Sequence, residues 1–268
     1  MSTLAEPLRI TDSPLARRNP TVKLALLFLV SVAMIFVFDP LTPAVLYVIG
    51  LAAVAASARI PGRLLLLMHV PFVGFALGLL IVNALSRPGD IVVEGLGLRV
   101  TVEGLAVGGA LALRTLVIGI LSIGFVASTD GVSLMISLHQ HARLGARVTY
   151  AILAGYRMLQ EMPREWQIIR HAHAVRARAR PHGRLSAGLR TFGRAAFSLL
   201  VVSVRKGERM AQSLESRGLG LMPRTTWRPV PLQRADWMLA AVVLAVPGLV
   251  LTTSSALGFL EGFHALFN

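Results

Sequence analysis

Five long runs of mostly apolar residues restrict what this chain can fold into more than any other feature of its sequence. A helix needs roughly 20 such residues to cross the hydrocarbon layer of a bilayer, and 54% of the 268 residues are hydrophobic, against about 45–50% in soluble domains. The runs predict an all-α, polytopic membrane protein with about five transmembrane helices, over residues 22–38, 43–58, 64–85, 102–127 and about 237–253. Between the third and fourth runs, the glycine-rich loop 86–100 alternates apolar with other residues, which predicts a short β-hairpin.

Positive charge is concentrated between the fourth and fifth runs. Residues 130–234 hold 18 of the 27 Lys and Arg but only five of the 13 Asp and Glu, so they carry +13 of the formal net charge of +14. Because cytoplasmic loops of membrane proteins carry an excess of Lys and Arg, we expect the N-terminus and this basic segment in the cytoplasm. The predicted domains are 1–127 with about four transmembrane helices, 128–234 as a basic cytoplasmic helical domain, and 235–268 with the last transmembrane helix and tail.

The basic segment has the periodicity of long helices. Apolar residues at spacings of three and four predict one helix that ends before Pro181. Pro163 lacks an amide donor and clashes with the preceding turn, so it should kink or divide that helix. A second helix is predicted from about Leu185 to Ser216, closed by Gly218 in the left-handed conformation that glycine tolerates.

Both long helices end in an arginine beside a small residue, in Val175-Arg176-Ala177 and Ser216-Arg217-Gly218. The partial negative charge at a helix C-terminus favours arginine there, so one such end needs no functional explanation. Two such ends in a basic domain suggest a docking role. A planar guanidinium at a helix tip, beside side chains too small to obstruct its approach, can enter a groove on a partner protein and bind carboxylates bidentately.

These residues resemble the transmembrane T component of energy-coupling factor (ECF) transporters, the vitamin and transition-metal uptake systems related to ABC transporters. That family has two cytoplasmic helices, each ending in an Ala-Arg-Gly-like motif. The second motif is similar to Ser216-Arg217-Gly218, preceded here by Ala211-Gln212 and Glu215. The opening stretch 13–24 is also similar to the start of the family's first span.

Arg176 is the best match to the first motif of that family. It ends a run whose spacing is similar to the family's, made of Tyr156-Arg157, Glu165, Ile169, Ala172 and Arg176 itself. Val175 and Ala177 stand where Ala and Gly are usual, which makes Arg178 a second candidate for the motif's arginine.

The resemblance implies a non-enzymatic scaffold of the plasma membrane, with a cytoplasmic helical coupling domain inserted before the last span. Such a T subunit of an ABC importer transmits the conformational change of two cytoplasmic ABC ATPase subunits to one small membrane-embedded substrate-binding (S) subunit. The implied ATPase-coupling residues are Arg176, Ala177, Ser216, Arg217 and Gly218, with Arg178 as the second candidate. The candidates for subunit or intramembrane contacts are Arg114, Arg157 and Glu165.

The residues themselves argue against other chemistries. The chain has no cysteine, and neither Lys23 nor Lys206 ends a phosphate-binding P-loop. Histidines occur two residues apart, at 139 and 141 and at 171 and 173, which places them on different sides of a helix, so we expect no metal site. No cofactor and no nucleic-acid partner are expected, since the basic segment lacks interleaved aromatic residues for base stacking. Contact between some of its arginines and lipid headgroups of the bilayer is expected.

Two other functions remain as alternatives. A self-contained channel or secondary carrier with a regulatory cytoplasmic domain is disfavoured because no internal repeat is found and Arg114 is the one clear deep charge. An intramembrane enzyme using Arg114, His69 and Asn83 would lack a nucleophile or carboxylate pair. Arg114 itself is expected to contact the S subunit, the chain's own cytoplasmic helices or a local partner, because a mid-span arginine exposed to lipid costs roughly 2.5–3.5 kcal/mol.

Overall fold

The computed structural model describes residues 13–37, 39–95, 98–176, 188–221 and 229–256. In this part of the chain there are eight α-helices and one two-stranded antiparallel hairpin. In chain order they are α1 Pro20–Met34, α2 Leu41–Ala58, α3 Gly62–Ser86, β1 Ile91–Gly95, β2 Leu98–Thr101, α4 Val102–Ser128, α5 Gly131–His141, α6 Ala146–Arg176, α7 Leu189–Ser216 and α8 Arg234–Ala256. The chain divides into two compact units, one of Met1–Asp130 with Pro231–Asn268 and the other of Gly131–Val230.

Glycines let α3 and α4 of the first unit approach closely. A Cβ on Gly104 would lie 2.7 Å from the backbone oxygen of Asn83, and one on Gly108 would lie 3.0 Å from that of Leu80. The predicted hairpin is confirmed between these two helices, with Glu94 paired to Arg99. Thr101 then caps α4, because its hydroxyl accepts a hydrogen bond from the Gly104 amide at 3.1 Å.

The first unit has two apolar clusters, and both include residues of α4. The first joins α2, α3 and α4 through Val54, Ala58, Ile60, Leu65, Ile120 and Ile123. The second joins α1, α2 and α4 through Val30, Met34, Val37, Leu46 and Val117, with side chains of α8 packed against it. Because both clusters use α4, this helix is the centre of the unit.

A polar cluster ties together the ends of α1, α4 and α8. Lys23 donates to the carbonyl oxygen of Ser128 at 2.8 Å and to its hydroxyl at 3.1 Å. Asp236 accepts from the amides of Asn19 at 2.9 Å and Gln233 at 2.8 Å. All of these except Gln233 are buried, so the chain is fixed both where it leaves this unit after α4 and where it returns at α8.

Four helices of the described chain are long and apolar enough to cross a membrane, namely α2, α3, α4 and α8. The apolar α1 is shorter, with 15 residues. Large apolar side chains point outward along these helices, for example Phe28 at 70%, Leu66 at 72% and Met238 at 69% exposure, as expected for a lipid-facing surface. The all-α membrane class is confirmed, while the count of five spans stays a prediction.

The second unit is built on α6 and α7. Three contacts join α6 to α7 and the turn that follows it: Arg147 to Gly220, Met162 to Ser203, and His173 to Ser198. As the residue number rises along α6, the number of its partner falls. The two helices therefore run antiparallel. Ile169 and Ala195 are buried, and the rings of Trp166 and Phe192 meet edge to face with centroids 5.4 Å apart. Pro163 lies inside α6 without dividing it.

Two side chains of the α5 helix bind Val230, the last residue of this unit. The Gln140 side-chain oxygen accepts from the Val230 amide at 2.9 Å, and the ring of His141 is hydrogen-bonded to the Val230 carbonyl at 2.9 Å. Both backbone groups of Val230 are therefore satisfied by side chains of one helix turn.

Candidate functional site

The end of α7 forms a regular helix C-cap around Gly218. The Leu219 amide donates to the Leu214 carbonyl and the Gly218 amide to that of Glu215, both at 2.9 Å. Gly218 has φ +80. This pair of bonds with a left-handed glycine is the Schellman motif, so the predicted left-handed Gly218 is confirmed.

The cap places Ser216 and Arg217 at an exposed tip. Arg217 is the C-cap residue with φ −86 and ψ 9, and its side chain is exposed. The Ser216 hydroxyl donates to the Ser213 carbonyl at 3.0 Å, so this side chain folds back on its own helix. In the part of the chain that the structure describes, Arg217 makes no ion pair. Its guanidinium is thus available to a partner.

The first predicted motif lies at the end of α6. Arg176 is the last residue of that helix and is exposed, and its neighbour Val175 is 88% exposed. Ala177 and the second candidate, Arg178, lie outside the described residues. About one turn before Arg176, the His173 ring contacts the Ser198 hydroxyl at 3.3 Å. This contact defines the register of the α6 end against α7.

The two arginine ends point away from each other along the antiparallel pair. Arg176 lies three residues beyond His173, and Arg217 lies nineteen residues beyond Ser198 in the opposite direction. At 1.5 Å per residue, the two Cα atoms are roughly 30 Å apart along the helix axes. One small groove therefore cannot hold both tips.

Glu165 and Arg157, the other candidates on α6, have different surroundings. Glu165 binds the ammonium of Lys206 on α7, and Glu161 lies 3.8 Å from the same ammonium. Arg157 is exposed. Glu165 thus contributes to the packing of the two helices, whereas the Arg157 side chain faces outward.

Arg114 lies beside the end of α1. Its guanidinium donates to the carbonyl of Val37 and reaches that of Ile35 at 3.5 Å. These carbonyls follow the last turn of α1 and have no helical partner, so the arginine caps the helix from a neighbouring one. Periodicity alone could not predict this contact, since it depends on where α1 stops.

His69 and Asn83 do not form a site with Arg114. Each is hydrogen-bonded to a carbonyl four residues earlier on its own helix, His69 to Leu65 and Asn83 to Leu79, both at 2.8 Å. The two residues are 14 positions apart on α3, which corresponds to roughly 21 Å. They cannot act on one small substrate together.

Three histidines in the described part of the basic segment, at 139, 141 and 173, make local contacts. His139 is hydrogen-bonded to the Leu144 carbonyl at 2.5 Å and its ring packs edge-on against Tyr150. Within the described ranges, no three His, Cys, Asp or Glu side chains are close enough together to hold a metal ion.

Besides the arginine at its end, α7 has an apolar face that is exposed. Phe197, Leu200 and Val204 recur at spacings of three and four, with exposures of 66%, 59% and 55%. They lie on the opposite side of the helix from Ala195, the buried residue of α7. An apolar stripe of this kind marks a surface for another protein or for the membrane.

Comparison with known proteins identifies relatives over nearly the whole chain. A sequence model of the family described as CbiQ, cobalt transport protein, matches residues 11–227. The chain is also similar to the energy-coupling factor transporter transmembrane protein EcfT of Heliobacterium modesticaldum, with 27% identity over 247 residues that cover 88% of this chain and 91% of that protein. The family match includes every helix from α1 to α7.

Proposed function

This chain belongs to the CbiQ cobalt transport protein family, and we propose that it works as the transmembrane T subunit of an ECF-type ABC importer. In this function it is a scaffold rather than an enzyme. It carries the conformational change of two cytoplasmic ABC ATPase subunits to a small substrate-binding S subunit in the plasma membrane. The transported substrate is a vitamin or a transition-metal ion, the classes that ECF transporters serve.

The separation of the two arginine tips supports this proposal most strongly. Arg176 and Arg217 are both exposed, each ends a long helix, and they lie roughly 30 Å apart on one antiparallel pair. Two ATPase subunits would each receive one tip. When the ATPases close on ATP and reopen after hydrolysis, the tips would move with them, and α6 and α7 would act as levers.

The uncovered face of α7 is the proposed contact for the S subunit. Phe197, Leu200 and Val204 give it an apolar surface on the same helix that carries the Arg217 tip. A ligand or partner shifts a conformational equilibrium only when it binds the two states differently. The S subunit must therefore contact this face more strongly in one ATPase state than in the other.

The proposed orientation follows the distribution of charge. With the N-terminus and the basic segment 128–234 in the cytoplasm, both arginine tips lie on the side where ATP is available. Residues 1–127 and 235–268 would then form the membrane part, and the exposed arginines of the basic segment would contact lipid headgroups.

Purification of the chain from its native membrane in mild detergent tests the proposal. We expect one or two P-loop ATPases and a small hydrophobic protein to co-purify with it. The Arg176→Ala and Arg217→Ala variants should insert normally but retain the ATPases about tenfold less well, and the double variant should lose uptake.

Arg164→Ala and Arg209→Ala are matched controls, because these arginines are exposed on the same two helices but lie away from the ends. They should behave like the wild type. Normal uptake by the Arg176→Ala, Arg217→Ala double variant would rule out the lever mechanism, and uptake by the chain alone in liposomes would establish a carrier instead.

A further inference from the structure

The turn that follows α7 carries a second left-handed glycine, and Arg147 of α6 lies against it. Gly220 has φ +101. A Cβ at this position would lie 3.0 Å from Nε and 3.3 Å from a terminal guanidinium nitrogen of Arg147. The arginine side chain therefore packs directly over the turn, in space that glycine leaves open, three residues after Arg217.

The position of Arg147 is not explained by the electrostatics of its own helix. It is the second residue of α6, and the first turn of that helix contains no acidic residue. The N-terminus of a helix carries partial positive charge, so a cation there is unfavourable, whereas Arg217 at a C-terminus is favourable. In the described part of the chain, no carboxylate forms an ion pair with Arg147.

Two exposed guanidinium groups that form no ion pair within the described residues are thus brought to one tip by helix ends that are distant in sequence. Arg217 reaches it from the end of α7 and Arg147 from the start of α6. Both groups carry a positive charge, so this tip is cationic and attracts carboxylates. A partner that supplies carboxylates to both would neutralise these charges and form bidentate hydrogen bonds with each guanidinium.

We propose that Arg147 is a second docking arginine of the α7 tip, which binds with Arg217 to an acidic groove on one ATPase subunit. This inference rests on the proposed function, because it assigns a further residue to the same docking event. The surface consists of Arg147, Arg217 and the two glycines at 218 and 220. The partner it fits presents at least two carboxylates.

A binding titration with charge-removing variants tests the proposal. The full-length chain in nanodiscs is titrated with the purified ABC ATPase subunits that co-purify with the wild type. Arg147→Gln is the informative variant, because glutamine keeps a polar stem over Gly220 but carries no charge. We expect Arg147→Gln to weaken binding about tenfold and to reduce its salt dependence, while Arg147→Lys keeps most of the salt dependence.

Arg164→Gln is the matched control, an exposed arginine on α6 about 25 Å from Arg147 along the helix. If Arg147→Gln binds the ATPases as well as Arg164→Gln does, while Arg217→Gln is weakened, the inference is wrong and the proposed function stands. If the wild type itself fails to bind the ATPases, both are wrong.

A third outcome would assign Arg147 to the membrane. Anionic lipid offers phosphate oxygens in place of carboxylates, so affinity is also measured for nanodiscs that contain phosphatidylglycerol or only neutral lipid. If Arg147→Gln changes the dependence of chain stability on phosphatidylglycerol and leaves ATPase binding intact, Arg147 is a lipid contact and the proposal is overturned.

Discussion

The ammonium of Lys23, in the first turn of α1, lies 2.8 Å from the carbonyl oxygen of Ser128, the last residue of α4 and 105 positions further along the chain. It also donates to the Ser128 hydroxyl at 3.1 Å and to the Leu15 carbonyl at 3.2 Å. An ammonium has three donors, so its capacity is filled. This one side chain links α1, α4 and the segment that precedes α1.

Replacing Lys23 by methionine should therefore destabilise the first compact unit, Met1–Asp130 with Pro231–Asn268. The methionine has a similar length but leaves the buried acceptors of Ser128 and the half-buried carbonyl of Leu15 without their donor, which costs about 1–3 kcal/mol. We expect a lower midpoint of thermal unfolding for the detergent-purified protein. Lys206→Met is the control, because Lys206 is 39% exposed and a pair of this kind contributes about 0–1 kcal/mol. Equal effects of the two variants would contradict the prediction.

Gly218→Ala should loosen the α7 tip. Alanine at φ +80 is strained by about 1–2 kcal/mol, and its Cβ would meet Leu221 at 3.1 Å. Gly207→Ala on the same helix meets no atom within 4 Å and should stabilise α7 by about 0.5–1 kcal/mol. Hydrogen exchange of the Leu219 amide, which is bonded to Leu214, reports the difference. Faster exchange is expected only in Gly218→Ala, and unchanged exchange would show that the cap is not held by the glycine.

Gly104→Ala should separate α3 from α4. Its Cβ would lie 2.7 Å from the Asn83 backbone oxygen and 2.9 Å from the Ala84 Cα, and backbone atoms cannot move aside as a flexible side chain can. Overpacking of this kind costs about 1–3 kcal/mol. At Gly109, the nearest atom is a Pro40 carbon at 4.0 Å, so Gly109→Ala should be tolerated. Thermal unfolding in detergent distinguishes the two, and a stable Gly104→Ala variant would argue against the close packing.

Arg114→Met should weaken the end of α1. The carbonyls of Val37 and Ile35 lose their donor, with an expected loss of about 1–2 kcal/mol, and Arg114→Lys should recover part of it. The same samples are assayed for co-purification of the S subunit, which we expect to persist. Unchanged stability together with loss of that subunit would instead make Arg114 an intersubunit contact.

The sequence predicted the apolar helices well because a bilayer imposes a length and a composition on the helices that cross it. The five apolar runs are the helices α1 to α4 and α8, and alternation predicted the hairpin at β1 and β2. The effect of Pro163 on α6 was harder to predict from the sequence. A proline removes one hydrogen bond, but the surrounding turns of α6 and its packing on α7 preserve the helix through it.

For the candidate site, the sequence was informative about single helix ends but not about their arrangement. Gly218 follows a periodic run, so its left-handed cap was predictable. The contact of Arg147 with Gly220 joins residues 73 positions apart, and the pairing of Glu165 with Lys206 depends on the register of α6 against α7. No local pattern specifies such contacts. They follow from packing, and the roles of the two arginine ends remain predictions until partners are tested.

The short α1 has a consequence for the surrounding lipid. Its 15 residues extend about 22 Å, whereas an average hydrocarbon layer is about 30 Å thick. If α1 crosses the bilayer, as the sequence predicts, the lipid tails beside it shorten or tilt, or the headgroups move inward, and each adjustment has an elastic cost that grows with membrane thickness. The bilayer is then expected to be thinner beside α1 than beside α3 and α4, whose 25 and 27 residues exceed the roughly 20 that an average hydrocarbon layer requires.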